Sequence, residues 1–211
     1  MKLLLSLFTT SIGKKQFVAA TGLLLIGFLL GHLTGNLLIL KSPELFNQYA
    51  DFLVHHPLII PAEIGLVVLF SAHIVMGLKI SIENWNARPD DYDYKVAEGG
   101  RTVGSATMKY SGLLTFVFLC VHLSTFKYSH PGATLYDTVV IYLKMPLYCA
   151  FYLLALTSLG IHLSHGIKSA FQTFGVSHPK YTPAIGVAGL LLAVAVTAGF
   201  LRLALHGIIG G

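Results

Sequence analysis

Charge is scarce in this chain. Only 11% of its 211 residues are Asp, Glu, Lys or Arg, against about 25% in an ordinary soluble domain. A soluble fold of this size has nowhere to hide so much apolar surface, and the same composition excludes disorder. Cysteine is nearly absent: Cys120 and Cys149 are the two, both inside apolar runs. They form no C-x-x-C pair, no C-x-x-C-H haem attachment site and no iron–sulfur ligand set. No G-x-G-x-x-G follows a strand and there is no P-loop, so no recognisable flavin or nucleotide site is encoded. The 14 Lys/Arg outnumber the nine Asp/Glu, but they lie in short gaps between apolar runs. A nucleic-acid binder would cluster them on one face.

What remains is 55% hydrophobic, and its natural solvent is a bilayer. Five apolar segments stand out: Phe17–Leu40, Leu58–Leu78, Tyr110–Phe126, Met145–Ile167 and Ala184–Leu201. Each has a length that spans a membrane as a helix. The expected fold is therefore all-α, one transmembrane domain over 1–211 with helices at about 17–40, 58–80, 108–128, 145–170 and 183–206. Met1–Thr10 reads as an interfacial lead-in rather than a signal peptide. Placing the N-terminus in the cytoplasm puts ten Lys/Arg inside and four outside, which the positive-inside rule favours. The longest polar stretch, Lys79–Lys109, then faces the cytoplasm. It holds Trp85, Arg88-Pro89, the run Asp90–Lys95 and Gly99-Gly100, and reads either as a solvated connector or as a platform for a soluble partner. No internal repeat, low-complexity tract or second domain stands out.

Ten histidines are the informative excess, and His32, His73, His122 and His162 fall one on each of the first four predicted helices. An ionisable residue within a membrane helix is a functional candidate. At 1.5 Å per residue, His32 lies roughly 22 Å past Phe17. Depth along alternating helices then sorts the four into two pairs, His32 with His122 near the outer face and His73 with His162 near the inner face. Two neutral imidazoles at one depth can supply both axial ligands of one haem iron. With no C-x-x-C-H the haems would be of b type. Gly31, Gly35, Gly77, Gly112, Gly160 and Gly166 would admit a flat macrocycle or simply allow close helix packing. His165, one turn from His162, is a rival ligand on spacing alone. His55, His56, His130, His178 and His206 sit at helix ends or in loops.

A family resemblance rests on motifs in order: Ala20-Thr21-Gly22-Leu23 through Gly31-His32-Leu33, Glu44-Leu45-Phe46-Asn47, Glu63-Ile64, Ser71-Ala72-His73 with Gly77, Val121-His122-Leu123, and His162-Leu163-Ser164-His165-Gly166 running to Phe174-Gly175. Over nearly its whole length the chain resembles the cytochrome b membrane subunit of succinate:quinone oxidoreductases (succinate dehydrogenases and fumarate reductases), in the single-anchor, dihaem, five-helix branch. The resemblance implies two haem b groups, held by His32 with His122 and by His73 with His162. It prefers His162 to His165, because the family's ligand stands thirteen positions before the closing glycine. It implies a flavoprotein subunit with FAD and an iron–sulfur subunit with the clusters, both docked on the cytoplasmic face. It implies menaquinone as substrate, a bacterial cytoplasmic membrane, and no dicarboxylate chemistry on this chain. A dimer of heterotrimers is one assembly it allows.

Glu63, following Pro61 at the outer start of the second helix, reads either as a helix N-terminal acid or as the group that exchanges protons with quinone near the outer haem. Where some relatives carry a second acid, two residues before the fourth-helix ligand, this chain has Gly160. Lys79, Lys109 and Lys168 are candidates by depth for haem propionates. Competing expectations are the haem b subunit of another respiratory dehydrogenase or hydrogenase, and a haem-free transporter using histidine for protons or metal.

Overall fold

The computed structural model describes residues 2–87, 102–129 and 131–209. It is 87% helical with no strands among the described residues. Helix α1 (Lys2–Thr9) leads into α2 (Ser11–Asn36), which ends in a 3-10 turn (Leu37–Leu40); α3 (Pro43–His55), α4 (Ile59–Asn86), α5 (Val103–Phe126), α6 (Leu135–Leu143), α7 (Pro146–Thr173) and α8 (Thr182–Ile209) follow. Five of these, α2 with its 3-10 turn, α4, α5, α7 and α8, are long and apolar enough to cross a membrane. The chain is a multi-pass membrane protein, with five helical spans among the described residues.

Local chemistry starts and stops these helices where the sequence supplies it. Thr10 caps α2 by accepting from the Gly13 amide at 3.0 Å. Ser42 caps α3, with Pro43 in the first turn, where a missing N–H costs nothing. Glu44 accepts its own backbone N–H and the Ser42 hydroxyl, which holds its carboxyl below the usual range. Thr102 with Ser105, and Thr134 with Asp137, form reciprocal capping boxes at the starts of α5 and α6. Gly175 closes α7 at φ +80°, the left-handed conformation that glycine adopts most freely. The Val176 amide there bonds back to the Phe171 carbonyl at 3.0 Å.

Helix α7 is the centre of the bundle. It packs against α2, α5 and α8, and buries Cys149, Tyr152, Ala155, Leu156, Leu163 and Ile167 along its length. Helix α4 leans on α2 and meets α5 only sparsely. Its two ends are tied by ion pairs, Glu63 to Lys127 past the end of α5 and Glu83 to Lys14 in the first turns of α2. The short helices α3 and α6 pack together, where Asn47 Oδ1 accepts the Tyr136 amide at 3.0 Å.

The polar stretch Lys79–Lys109 is helical at both of its ends. Helix α4 runs on to Asn86, and α5 begins at Val103. No proline interrupts α4 before Asn86, and Glu83 is held by Lys14; at the far end the Thr102 cap starts α5 early. The rest of the stretch, including Arg88-Pro89, Asp90–Lys95 and Gly99-Gly100, lies outside the described residues, as does His130.

Candidate functional site

The structure brings His32 of α2 and His122 of α5 together, with ring centroids 5.7 Å apart and planes at 86°. Aromatic side chains enclose the pair. Phe28 stacks on His32 at 5.4 Å with Phe200 at 6.0 Å, and Phe126 and Phe118 flank His122 at 5.3 and 5.6 Å. Tyr152 of α7 places its hydroxyl 2.9 Å from His122 Nδ1. On the other side, Asn36 donates to the His32 carbonyl at 2.8 Å, and its Nδ2 is 3.5 Å from His32 Nδ1.

The second pair is built differently. His73 of α4 has its Nδ1 3.0 Å from Thr21 Oγ1 on α2. His162 of α7 has its Nδ1 3.3 Å from Ser111 Oγ on α5. A Cβ added to Gly22 would sit 3.2 Å from His73 Cε1, and one added to Gly112 would sit 3.2 Å from His162 Cε1. Both rings thus approach their neighbouring helix where it carries no side chain.

These matching contacts expose an internal repeat, which corrects the impression that the sequence has none. Thr21-Gly22-Leu23-Leu24 with Phe28-Leu29 and His32-Leu33 corresponds to Ser111-Gly112-Leu113-Leu114 with Phe118-Leu119 and His122-Leu123. The hydroxyl residue stands eleven positions before the histidine in both. His73 with Gly77 and Lys79 corresponds likewise to His162 with Gly166 and Lys168. Helices α2–α3–α4 and α5–α6–α7 are therefore two versions of one unit. Each histidine pair takes one member from each unit, and α2 and α5 run in the same direction.

Other candidates fall elsewhere. His165 lies beside Gly104 at the start of α5, and its ring has no hydrogen-bond partner among the described residues. Glu63 pairs with Lys127 and is 40% exposed. It stands ten positions before His73, so Tyr152, ten before His162, is its counterpart in the second unit. Gly160 faces α8, where an added Cβ would collide with Thr197; an acid there would point into a helix interface. Lys109 lies over the rings of Trp85 and Tyr110 at 5.2 and 5.5 Å, on an exposed face beside a groove of about 280 Å³ formed with Leu78, Ile82 and Asn86. The Lys168 stem runs along Gly186 of α8, and Lys79 is exposed. Of the remaining histidines, His55 pairs with Asp51 at 3.2 Å, while His56 and His178 cap turns through Nδ1.

The donor set limits what these pairs can hold. Among the described residues no group of three or more His, Cys, Asp or Glu could hold a metal ion. A bare transition ion asks for about four protein ligands in a structural site or three in a catalytic one. Two imidazoles fit an ion that brings its other ligands with it. Metal–nitrogen bonds of about 2.0 Å put two imidazole centroids on opposite sides of one ion roughly 6 Å apart. Residues Thr21, Ser111, Tyr152 and Asn36 were not candidates on sequence grounds, although the eleven-position repeat would have found the first two.

Compared with known protein families, curated proteins and solved structures, the chain gives no match.

Proposed function

We propose that this chain is the dihaem cytochrome b subunit of a succinate:quinone oxidoreductase, a succinate dehydrogenase or fumarate reductase, in a bacterial cytoplasmic membrane. Its N-terminus is cytoplasmic, as the Lys/Arg distribution favours. The observation that carries this reading is the pairing of single histidines from separate spanning helices, with His32 and His122 centroids 5.7 Å apart and a polar partner on Nδ1 of His73, His122 and His162. When bound, two b haems would supply one-electron carriers between an iron–sulfur partner and menaquinone.

The chain's own residues would do three things. His32 with His122, and His73 with His162, would hold the two irons. The Phe28, Phe118, Phe126 and Phe200 rings would exclude water around the outer pair. Glu63 would exchange protons with quinone at the outer face, leaving Lys127 to do so. FAD, the clusters and the dicarboxylate site would belong to a flavoprotein and an iron–sulfur subunit on the cytoplasmic side.

A haem-free transporter needs carboxylates along a path through the bundle. Glu63 and Glu83 instead sit toward the ends of α4, each in an ion pair with lysine. The test is a haem assay and redox titration of the purified chain and of the complex it captures. Two b haems per chain with separate potentials, together with a flavoprotein and an iron–sulfur protein, is the expected result. No haem would overturn the reading, and two haems with a different dehydrogenase would redirect it to another respiratory enzyme.

A further inference from the structure

The two imidazoles that face Thr21 and Ser111 share a feature that the other pair lacks. The Thr21 hydroxyl donates to its own helix, to the Phe17 and Val18 carbonyls at 2.9 and 3.1 Å. The Ser111 hydroxyl donates to the Met108 carbonyl at 3.1 Å. A hydroxyl has one proton. With that proton committed, each oxygen has only lone pairs left for the histidine beside it. The hydroxyl oxygen beside Nδ1 is thus an acceptor at both histidines. The neutral imidazole therefore carries its proton on Nδ1 and leaves Nε2 bare. Both hydroxyl residues are buried, 7% and 5% exposed, so water does not compete for these contacts.

We infer that Thr21 and Ser111 are matched positioning residues, one from each repeat unit, that fix His73 and His162 in the tautomer able to bind metal through Nε2. Each acts within its own unit, on the histidine of the paired helix. Gly22 and Gly112 let the rings come close enough for the bond. The His32–His122 pair is held unevenly by contrast, through a phenol at 2.9 Å on one side and an amide at 3.5 Å on the other. This inference rests on the proposed haem reading and adds to it two residues and a reason for the tautomer.

The test uses the full chain loaded with haem. Thr21→Ala and Ser111→Ala remove the hydroxyls without adding bulk; Thr21→Ser and Ser111→Thr keep them. Haem stoichiometry, midpoint potentials and the ferric electron-spin signature of each haem are measured. The alanine variants are expected to weaken haem at His73–His162 by about 10–100-fold, the usual effect of losing such a partner. They should also raise that haem's potential, because an imidazole without its Nδ1 acceptor is a poorer donor to ferric iron. The haem at His32–His122 should be unchanged, and the hydroxyl-retaining variants should behave as the parent. Unaltered potentials and signatures in the alanine double variant would overturn the inference, as would equal loss of both haems. Absence of haem from the parent chain would overturn the functional reading itself, a separate outcome.

Discussion

Glu63 and Lys127 form an ion pair that bridges the start of α4 to the residue just past α5. The same two helices are bridged at their other ends by Lys109 over Trp85, and between these contacts they touch little. Both members of the Glu63–Lys127 pair are 40% or more exposed, so the pair contributes no more than about 1 kcal/mol.

Glu63→Gln should therefore leave folding intact and, in the proposed reading, both haems in place. If Glu63 handles quinone protons, turnover should fall about 100-fold or more, the range for losing a general acid or base. Lys127→Ala removes the same ion pair and keeps the carboxylate. Equal effects of the two variants on turnover would show that only the ion pair matters.

Single histidine replacements should separate the two centres. His32→Ala or His122→Ala should remove one haem, and His73→Ala or His162→Ala the other, with His165→Ala retaining both. Haem quantitation with a redox titration reads this directly. Two haems in any of the first four variants would refute its assignment.

Tyr152→Phe deletes the hydroxyl on His122 Nδ1 and keeps the ring that stacks on Tyr148 at 4.7 Å. The stability loss should be about 1 kcal/mol, one hydrogen bond's net worth. The expected change is in the potential of the His32–His122 haem alone, measured by potentiometric titration.

Gly160→Ala should destabilise the chain by about 1–3 kcal/mol, the usual cost of overpacking, because the new methyl meets Thr197 of α8. Thr197→Ala in the same chain should recover most of the loss. Thermal unfolding in detergent measures both. Gly160→Glu should not create a proton path, since position 160 faces α8 and not the histidines.

Hydropathy made the five spans legible, because each spanning helix must satisfy its backbone internally and carry apolar side chains to lipid. That His32 and His122 share a level was legible from counting along those spans. The direction each side chain takes around its helix was not. Lys109 illustrates this: its depth suits an interior anion, yet it turns outward onto Trp85 and Tyr110. The partners Thr21, Ser111 and Tyr152 depend on which helices are neighbours, and α2 lies against α4 while α5 lies against α7. The repeat was present in the letters but diluted, since only scattered positions of the two units agree and the connecting helices α3 and α6 differ in length. The ends of α4 and α5 were misjudged because a polar stretch reads as a loop unless its cap and its ion pair are seen.

The eleven-position spacing also works as a ruler. Thr21 marks the level of His73 on the helix that carries His32, and Ser111 marks the level of His162 on the helix that carries His122. Eleven residues of helix span roughly 16 Å, about half of a 30 Å hydrocarbon core. In the proposed reading, an electron passing between the two levels crosses about half of the membrane field. That is electrical work of about 1 kcal/mol for every 100 mV. An energised membrane would push the two centres apart in effective potential by that amount, so the chain would couple its redox balance to voltage without moving any part of itself.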